Sequence, residues 1–222
     1  MAATISSLAS GTSTTSGATV TTGGTVTAAI GNWLVVICAA SNDGTGGASS
    51  MTTCVDSDGL NTYTQRALIN YDPGAAGVGA TLGIYTCAIT NTLSADTITV
   101  NFSPNTSQKA VEVYKVAPAA GETVSFIAVD TTGSANGTSP YTASQVSVTS
   151  GDIIFGAAAI ETDDAITGDT DTTNGSWSSI VTILADGGAD ASTMSSCSQY
   201  KTTTGTGNQD WACTSATGRD SA

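Results

Sequence analysis

Histidine is missing from this 222-residue chain, and basic residues are scarce: Arg66, Lys109, Lys115, Lys201 and Arg219 are the only five. Without histidine the chain lacks the commonest general base near neutral pH and the commonest transition-metal ligand. An enzyme would have to be built on carboxylates alone, and none is expected. The five cations are scattered along the sequence. Nucleic-acid binding needs clustered Lys and Arg to neutralise phosphates, so no nucleic acid is expected as a partner, and for the same reason no anionic membrane surface. The net charge of −13 favours solubility and mutual repulsion.

Charged residues are only 10% of the chain and aromatic residues 5%. Disorder is nonetheless excluded, because 40% of the residues are apolar and they fall in short, β-branched runs. No stretch approaches the roughly 20 apolar residues of a membrane-spanning helix. The start, Met1-Ala2-Ala3-Thr4-Ile5-Ser6, has neither a basic segment nor a continuous apolar one. No signal peptide is therefore expected, and synthesis and folding in a cytoplasm are. The five cysteines form no Cys-x-x-Cys, which argues against a zinc site, and their odd number argues against a disulfide framework. Cys38 and Cys87 sit in apolar runs and read as buried thiols. Cys197 and Cys213 flank a polar turn. In a hairpin centred near Gly205 they would face each other across the strands, within reach of a disulfide outside a reducing compartment. No nucleophile elbow, HExxH, phosphate-binding loop or dinucleotide fingerprint is present.

What the sequence does contain is strands. Trp33-Leu34-Val35-Val36-Ile37-Cys38-Ala39-Ala40 and Ile153-Ile154-Phe155-Gly156-Ala157-Ala158-Ala159-Ile160 are apolar almost throughout. Both read as central strands buried on two faces. Ile98, Val100 and Phe102 alternate with Thr97, Thr99 and Asn101, the pattern of a half-buried strand. Further strands are expected over Met51–Val55, Thr62–Asn70, Thr81–Ile89, Ala110–Val116, Ser125–Val129, Val146–Val148, Trp177–Leu184, Ala191–Lys201 and Gln209–Ser215. Ser41–Ser50, Asp72–Gly79 and Thr131–Pro140 read as Gly-rich loops. The fold class is all-β: an antiparallel, jelly-roll-like β-sandwich of about a dozen short strands, with no substantial helix. Residues 1–23 read as an N-terminal arm or peripheral strand, and 24–222 as a single domain. Two hairpins echo each other within it. Thr25-Val26-Thr27 leads through Gly31-Asn32 into Trp33, and Ser147-Val148-Thr149 leads through Gly151-Asp152 into Ile153.

Candidate sites are few. Asp56 and Asp58 share a turn, but Gly59 comes too early for a calcium loop and Ala67 stands where its final Glu belongs. Asp163, Asp164, Asp169 and Asp171 form the densest acidic cluster and read as a solvated loop. No metal or cofactor is expected. A carboxylate pair of the glycosidase kind is the least favoured alternative. Trp33, Trp177 and Trp211 read as core residues, or alternatively as a sugar-stacking platform. In the arm, Ile5 and Leu8 are the candidate partner-binding residues. They could anchor it on another subunit or on a shell while its removal leaves the sandwich folded, or simply pack on their own domain.

The stretch Val55-Asp56-Ser57-Asp58-Gly59-Leu60-Asn61-Thr62-Tyr63-Thr64 resembles a turn motif of jelly-roll-like β-sandwich domains. These occur in tailed-phage structural proteins and in modular bacterial surface proteins. Leu60, between Gly59 and Asn61, departs from the motif. Trp33–Ala40, Asp130–Ala135 and Gly151–Gly156 are similar in kind and order, so the resemblance spans roughly residues 20 to 215. It implies binding or structural work and brings no catalytic residues. Its phage branch implies a virion structural protein, of the kind that decorates and cements a capsid from outside. The major capsid protein would be its partner and a homo-oligomer its form. Its other branch implies a carbohydrate-binding or adhesin module.

Overall fold

The computed structural model describes residues 3–42, 50–72, 79–130, 139–188, 192–217 and 221–222. Most of the three expected Gly-rich loops lies outside the described residues. The described residues form sixteen strands and no helix. A main sheet has the spatial order β1 (Thr4–Ser13), β10 (Lys109–Ala117), β4 (Trp33–Ser41), β7 (Ala80–Ala88), β6 (Thr64–Tyr71). A first outer sheet is β2 (Gly17–Thr21), β9 (Ile98–Thr106), β5 (Ser50–Asp56), beside the pair β3 (Val26–Ala28) and β8 (Leu93–Asp96). The second half supplies an inner sheet, β12 (Ile153–Ile160), β15 (Met194–Thr202), β14 (Val181–Ala185). It also supplies a second outer sheet, β11 (Tyr141–Val148), β16 (Gly207–Ser215), β13 (Ile166–Thr167). Every strand pairing is antiparallel.

Alternation along β4 explains how these sheets stack. Leu34, Val36, Cys38 and Ala40 share a hydrophobic cluster with Val20, Val100 and Phe102 of the first outer sheet. Val35, Ile37 and Ala39 share another with Ala159 and Met194 of the second half, against which Phe155 and Ala157 also pack. The other side of β12 offers Ala158 and Ile160 to Trp211 and Cys213. The main sheet is thus buried on both faces, which is what its continuous apolar strand requires. β14 lies over β1 and β10, β15 over β10 and β4, and β12 over β4 and β7.

The second half repeats the first. β4-β7-β6 and β12-β15-β14 have the same order within their sheets, and so have β2-β9-β5 and β11-β16-β13. The hairpin echo coincides down to single hydrogen bonds. Asn32 N–H donates to Ala29 O (3.1 Å) and Asp152 N–H to Thr149 O (3.2 Å). The side chains of Asn32 and Asp152 in turn accept from the N–H of Ala29 and Thr149. Gly31 N–H donates to Ile89 O, and Gly151 N–H to Thr203 O. Both glycines have positive φ, +89° and +96°, a conformation other residues reach only with strain. The two halves differ at one edge. In the first, β10 covers the side of β4 away from β7; in the second, β12 lies at the end of its sheet, with β15 its only partner strand among the described residues.

Ile153–Ile160 is therefore a strand with two covered faces but not a central strand, as its apolar run had suggested. Burial of both faces comes from stacking, whereas a place in the middle of a ladder needs a second partner strand. Ser125–Val129 is not a strand, although its composition favours one. β-propensity measures fit to neighbours, and the segment forms no ladder with any described residue. Trp177–Ile180 likewise precedes the ladder, which begins at Val181.

Candidate functional site

Most of the carboxylates singled out in the sequence hold backbone. Asp56 is buried; its Oδ1 accepts from Leu60 N–H (3.1 Å) and closes the turn. Asp164 Oδ2 accepts from Thr217 N–H (3.1 Å), and Asp169 Oδ2 from Ala212 N–H (3.0 Å). Asp171 Oδ1 accepts from Thr173 N–H (3.0 Å), and its Oδ2 lies 3.6 Å from Lys201 Nζ. The bonds from Thr173, more than the nearby lysine, hold its carboxyl below the usual range. Among the described residues no three His, Cys, Asp or Glu side chains gather as metal ligands would.

The cysteines are buried thiols. Burial pushes the pKa values of Cys38, Cys54 and Cys87 up, that of Cys87 to about 11, and the hydrogen bond with Cys213, together with burial, raises that of Cys197, which leaves these four poor nucleophiles. Cys197 and Cys213 do face each other, Sγ to Sγ 3.8 Å and unbonded. They meet between two layers rather than across one hairpin ladder, because the chain leaves the inner sheet for the outer one at the intervening turn.

The two arm residues lie within the chain's own packing. β1 pairs with β10 from Thr4↔Ala117 to Ser13↔Lys109, with a bulge between Ser7 and Ala9. Ile5 packs on the cluster between the halves and Leu8 on the cluster under the first outer sheet.

A groove of about 250 Å³ lies between the halves. Val35, Leu82 and Ile84 of the main sheet line it, as do Tyr141 and Trp211 of the second outer sheet. Along it run two continuous stretches of chain: the free side of β12, residues 153–158, and the connector Val124–Asp130. All three tryptophans line it, with Phe126 and Phe155, in a chain that has only three phenylalanines. Gly156 is what lets Trp211 lie against β12, since a β-carbon there would come within 2.1 Å of the indole Cγ. Trp211 Nε1 donates to Gln199 Oε1 (2.9 Å). Trp177 Nε1 is buried without a hydrogen-bond partner, and Lys201 Nζ sits 4.7 Å from that ring's centroid. The Arg66 guanidinium lies 4.1 Å from the Phe126 centroid, and its Nε donates to Thr86 Oγ1 (2.8 Å), which ties the connector to the main sheet. On the connector, Ile127 is 73% exposed. Sequence reasoning missed the groove because its walls come from both halves; the nearest signal was the rarity of aromatics, which made each tryptophan informative.

Between β10 and β15 lies the buried carboxyl of Glu112. Glu112 Oε2 accepts from Ser198 Oγ (2.7 Å), whose oxygen is 2.8 Å from Tyr114 Oη, while Glu112 Oε1 has no partner. Burial raises its pKa above the ordinary 4.5, and the hydrogen bonds from Ser198 and Tyr114 only partly oppose that. The folded protein therefore keeps a proton that the unfolded chain releases above about pH 4.5. Stability must fall as pH rises from there to the folded value, at about 1.4 kcal/mol per pH unit for one proton. Glu112→Gln removes this slope. Melting temperatures measured from pH 4 upward should show the variant gaining on the wild type as pH rises; parallel curves would show that Glu112 is ionised in the fold.

Comparison with family models, with curated proteins and with solved structures gave no match. Fold and groove together define an all-β protein of stacked antiparallel sheets with one aromatic-lined groove between its repeated halves.

Proposed function

We propose that this chain is a non-catalytic structural protein of a virion, a decoration protein that binds the major capsid protein from outside and cements the shell. The supporting observation is the groove with its apolar rim. Its aromatic lining and the exposed Ile127 stand out on a molecule otherwise rich in Ser, Thr and Asp. Contiguous exposed apolar surface of this kind marks sites where protein partners bind. The stacked sheets supply a rigid body, and the acidic surface keeps free copies apart before they meet the shell. Added to shells that lack it, the wild-type chain should raise the temperature at which they disrupt. Ile127→Asp should lose that effect while melting normally in solution, because the side chain it replaces is exposed. Equal stabilisation by both proteins would refute the rim as the contact.

The gathering of three tryptophans favours a second reading, a carbohydrate-binding or adhesin module, since sugar faces stack on aromatic rings. Saturable binding on a glycan array, with no affinity for shells, would select it.

A further inference from the structure

The groove has the shape of a missing strand. In the first half β10 pairs along β4, with Ala40 opposite Lys109, Ala39 opposite Ala110, and so on to Trp33 opposite Val116. Superposing the two turns at Gly31 and Gly151 makes Ala40 equivalent to Ile160 and Ala39 to Ala159. Those two residues are the ones with a partner on the free side of β12. Ile160 bridges Ser221, and Ala159 exchanges two backbone hydrogen bonds with Ala222, N–H to O 2.8 and 2.9 Å. Ser221 and Ala222 thus stand where Lys109 and Ala110 stand in the first half, at the start of a β10 equivalent. The positions that β10 fills next, opposite residues 33–38, correspond to the side of β12 at residues 153–158. That side has no ladder partner among the described residues, and all six of its residues line the groove.

We infer that the groove is a strand-acceptor site. Its occupant is an extended segment of a partner polypeptide that adds antiparallel to β12 in the register begun by Ser221 and Ala222, with apolar side chains at alternate positions. This deepens the reading of the groove as the partner contact and rests on it, but it does not require the partner to be a capsid protein. The chemistry of the slot is specific to such a segment. Since Ala159 N–H points into the slot, the two-residue period aims the N–H groups of Ile153, Phe155 and Ala157 there too. One row of an incoming strand's side chains meets Val35, Leu82 and Ile84 of the main sheet; the other meets Tyr141 and Trp211. Within β12 itself the residues that usually protect an edge are absent. The strand has no lysine, proline or charged residue, and an apolar edge of that kind is normally covered. Addition of a strand supplies backbone hydrogen bonds for affinity and side-chain pockets for specificity.

A synthetic peptide tests this with the intact chain. Its sequence is that of Ala110–Ala117 with threonine in place of Glu112 and Lys115, so that no charge enters the slot. The expected result is saturable one-to-one binding, a raised melting temperature, and slowed hydrogen exchange at the amides of Ile153, Phe155 and Ala157. The same peptide N-methylated at the backbone positions that face β12 keeps every side chain but loses its donors, and should not bind. Equal binding of the methylated peptide, or binding without protection of those three amides, would overturn strand addition and leave a simple apolar pocket. Failure of the unmethylated peptide to bind at millimolar concentration would overturn the acceptor site itself. Neither result depends on the shell measurement, so loss of shell binding with intact peptide binding would refute the capsid partner alone.

Discussion

Val36→Asp should abolish folding. Val36 is fully buried at the centre of the main sheet, opposite Val113 on one side and Tyr85 on the other. Its side chain points into the apolar cluster shared with Val100, Phe102 and Cys54. An uncompensated buried charge costs about 3–5 kcal/mol. The lost packing of the valine adds to this, and the sum rivals the roughly 5–15 kcal/mol that holds an ordinary domain together. Protonating the aspartate would exchange the charge for an unbonded polar group and recover only part of the loss. Circular dichroism and soluble yield are the readouts. A soluble variant with a cooperative melt near the wild-type temperature would place Val36 outside the core.

Deleting residues 2–13 should also destabilise the protein strongly, as a peripheral strand packed on its own domain requires and an arm anchored elsewhere would not. β1 covers the edge of β10 along its whole length, and it carries Ile5 into one core cluster and Leu8 and Ala9 into another. Losing that apolar burial costs about 3–5 kcal/mol. In a chain of this size this lowers the melting temperature by about 6–20 °C. An unchanged melting temperature would mean that the strand is not held by its own sheet and is free to pair elsewhere.

These two positions show what could be read from the sequence. The continuous apolar run of β4 announced burial on both faces, and the alternation of Ile98, Val100 and Phe102 announced the inward face of β9. Their outward neighbours behave as polar strand residues do: Thr99 meets Thr21 at 2.8 Å and Asn101 donates to Thr53 at 2.9 Å. The Gly31-Asn32 and Gly151-Asp152 turns were legible because positive φ and a capping side chain leave few residue choices.

β15 was harder to place. Met194-Ser195-Ser196-Cys197-Ser198-Gln199 looks polar, yet it is buried throughout. Small hydroxyl groups can be interior when they are bonded, as Ser195 is to Thr162 O (2.8 Å) and Ser198 to Glu112. No local pattern reports those distant partners. The choice between an arm and a peripheral strand for residues 1–23 was closed to sequence reasoning for a related reason: β1 gains its stability from β10, about a hundred residues away in sequence. The groove lay furthest from sequence reasoning, since it depends on which edge of which sheet is left uncovered.

Contact rather than catalysis is the role proposed for this chain, with the shell of a virion as the surface it joins. Quantitative mass spectrometry of purified intact particles addresses this directly. The expected result is co-purification of the wild-type chain in a fixed ratio to the major capsid protein, with loss from particles made with Ile127→Asp. Particles that form and purify without the wild-type chain, from cells that contain it in excess, would contradict a structural place in the virion.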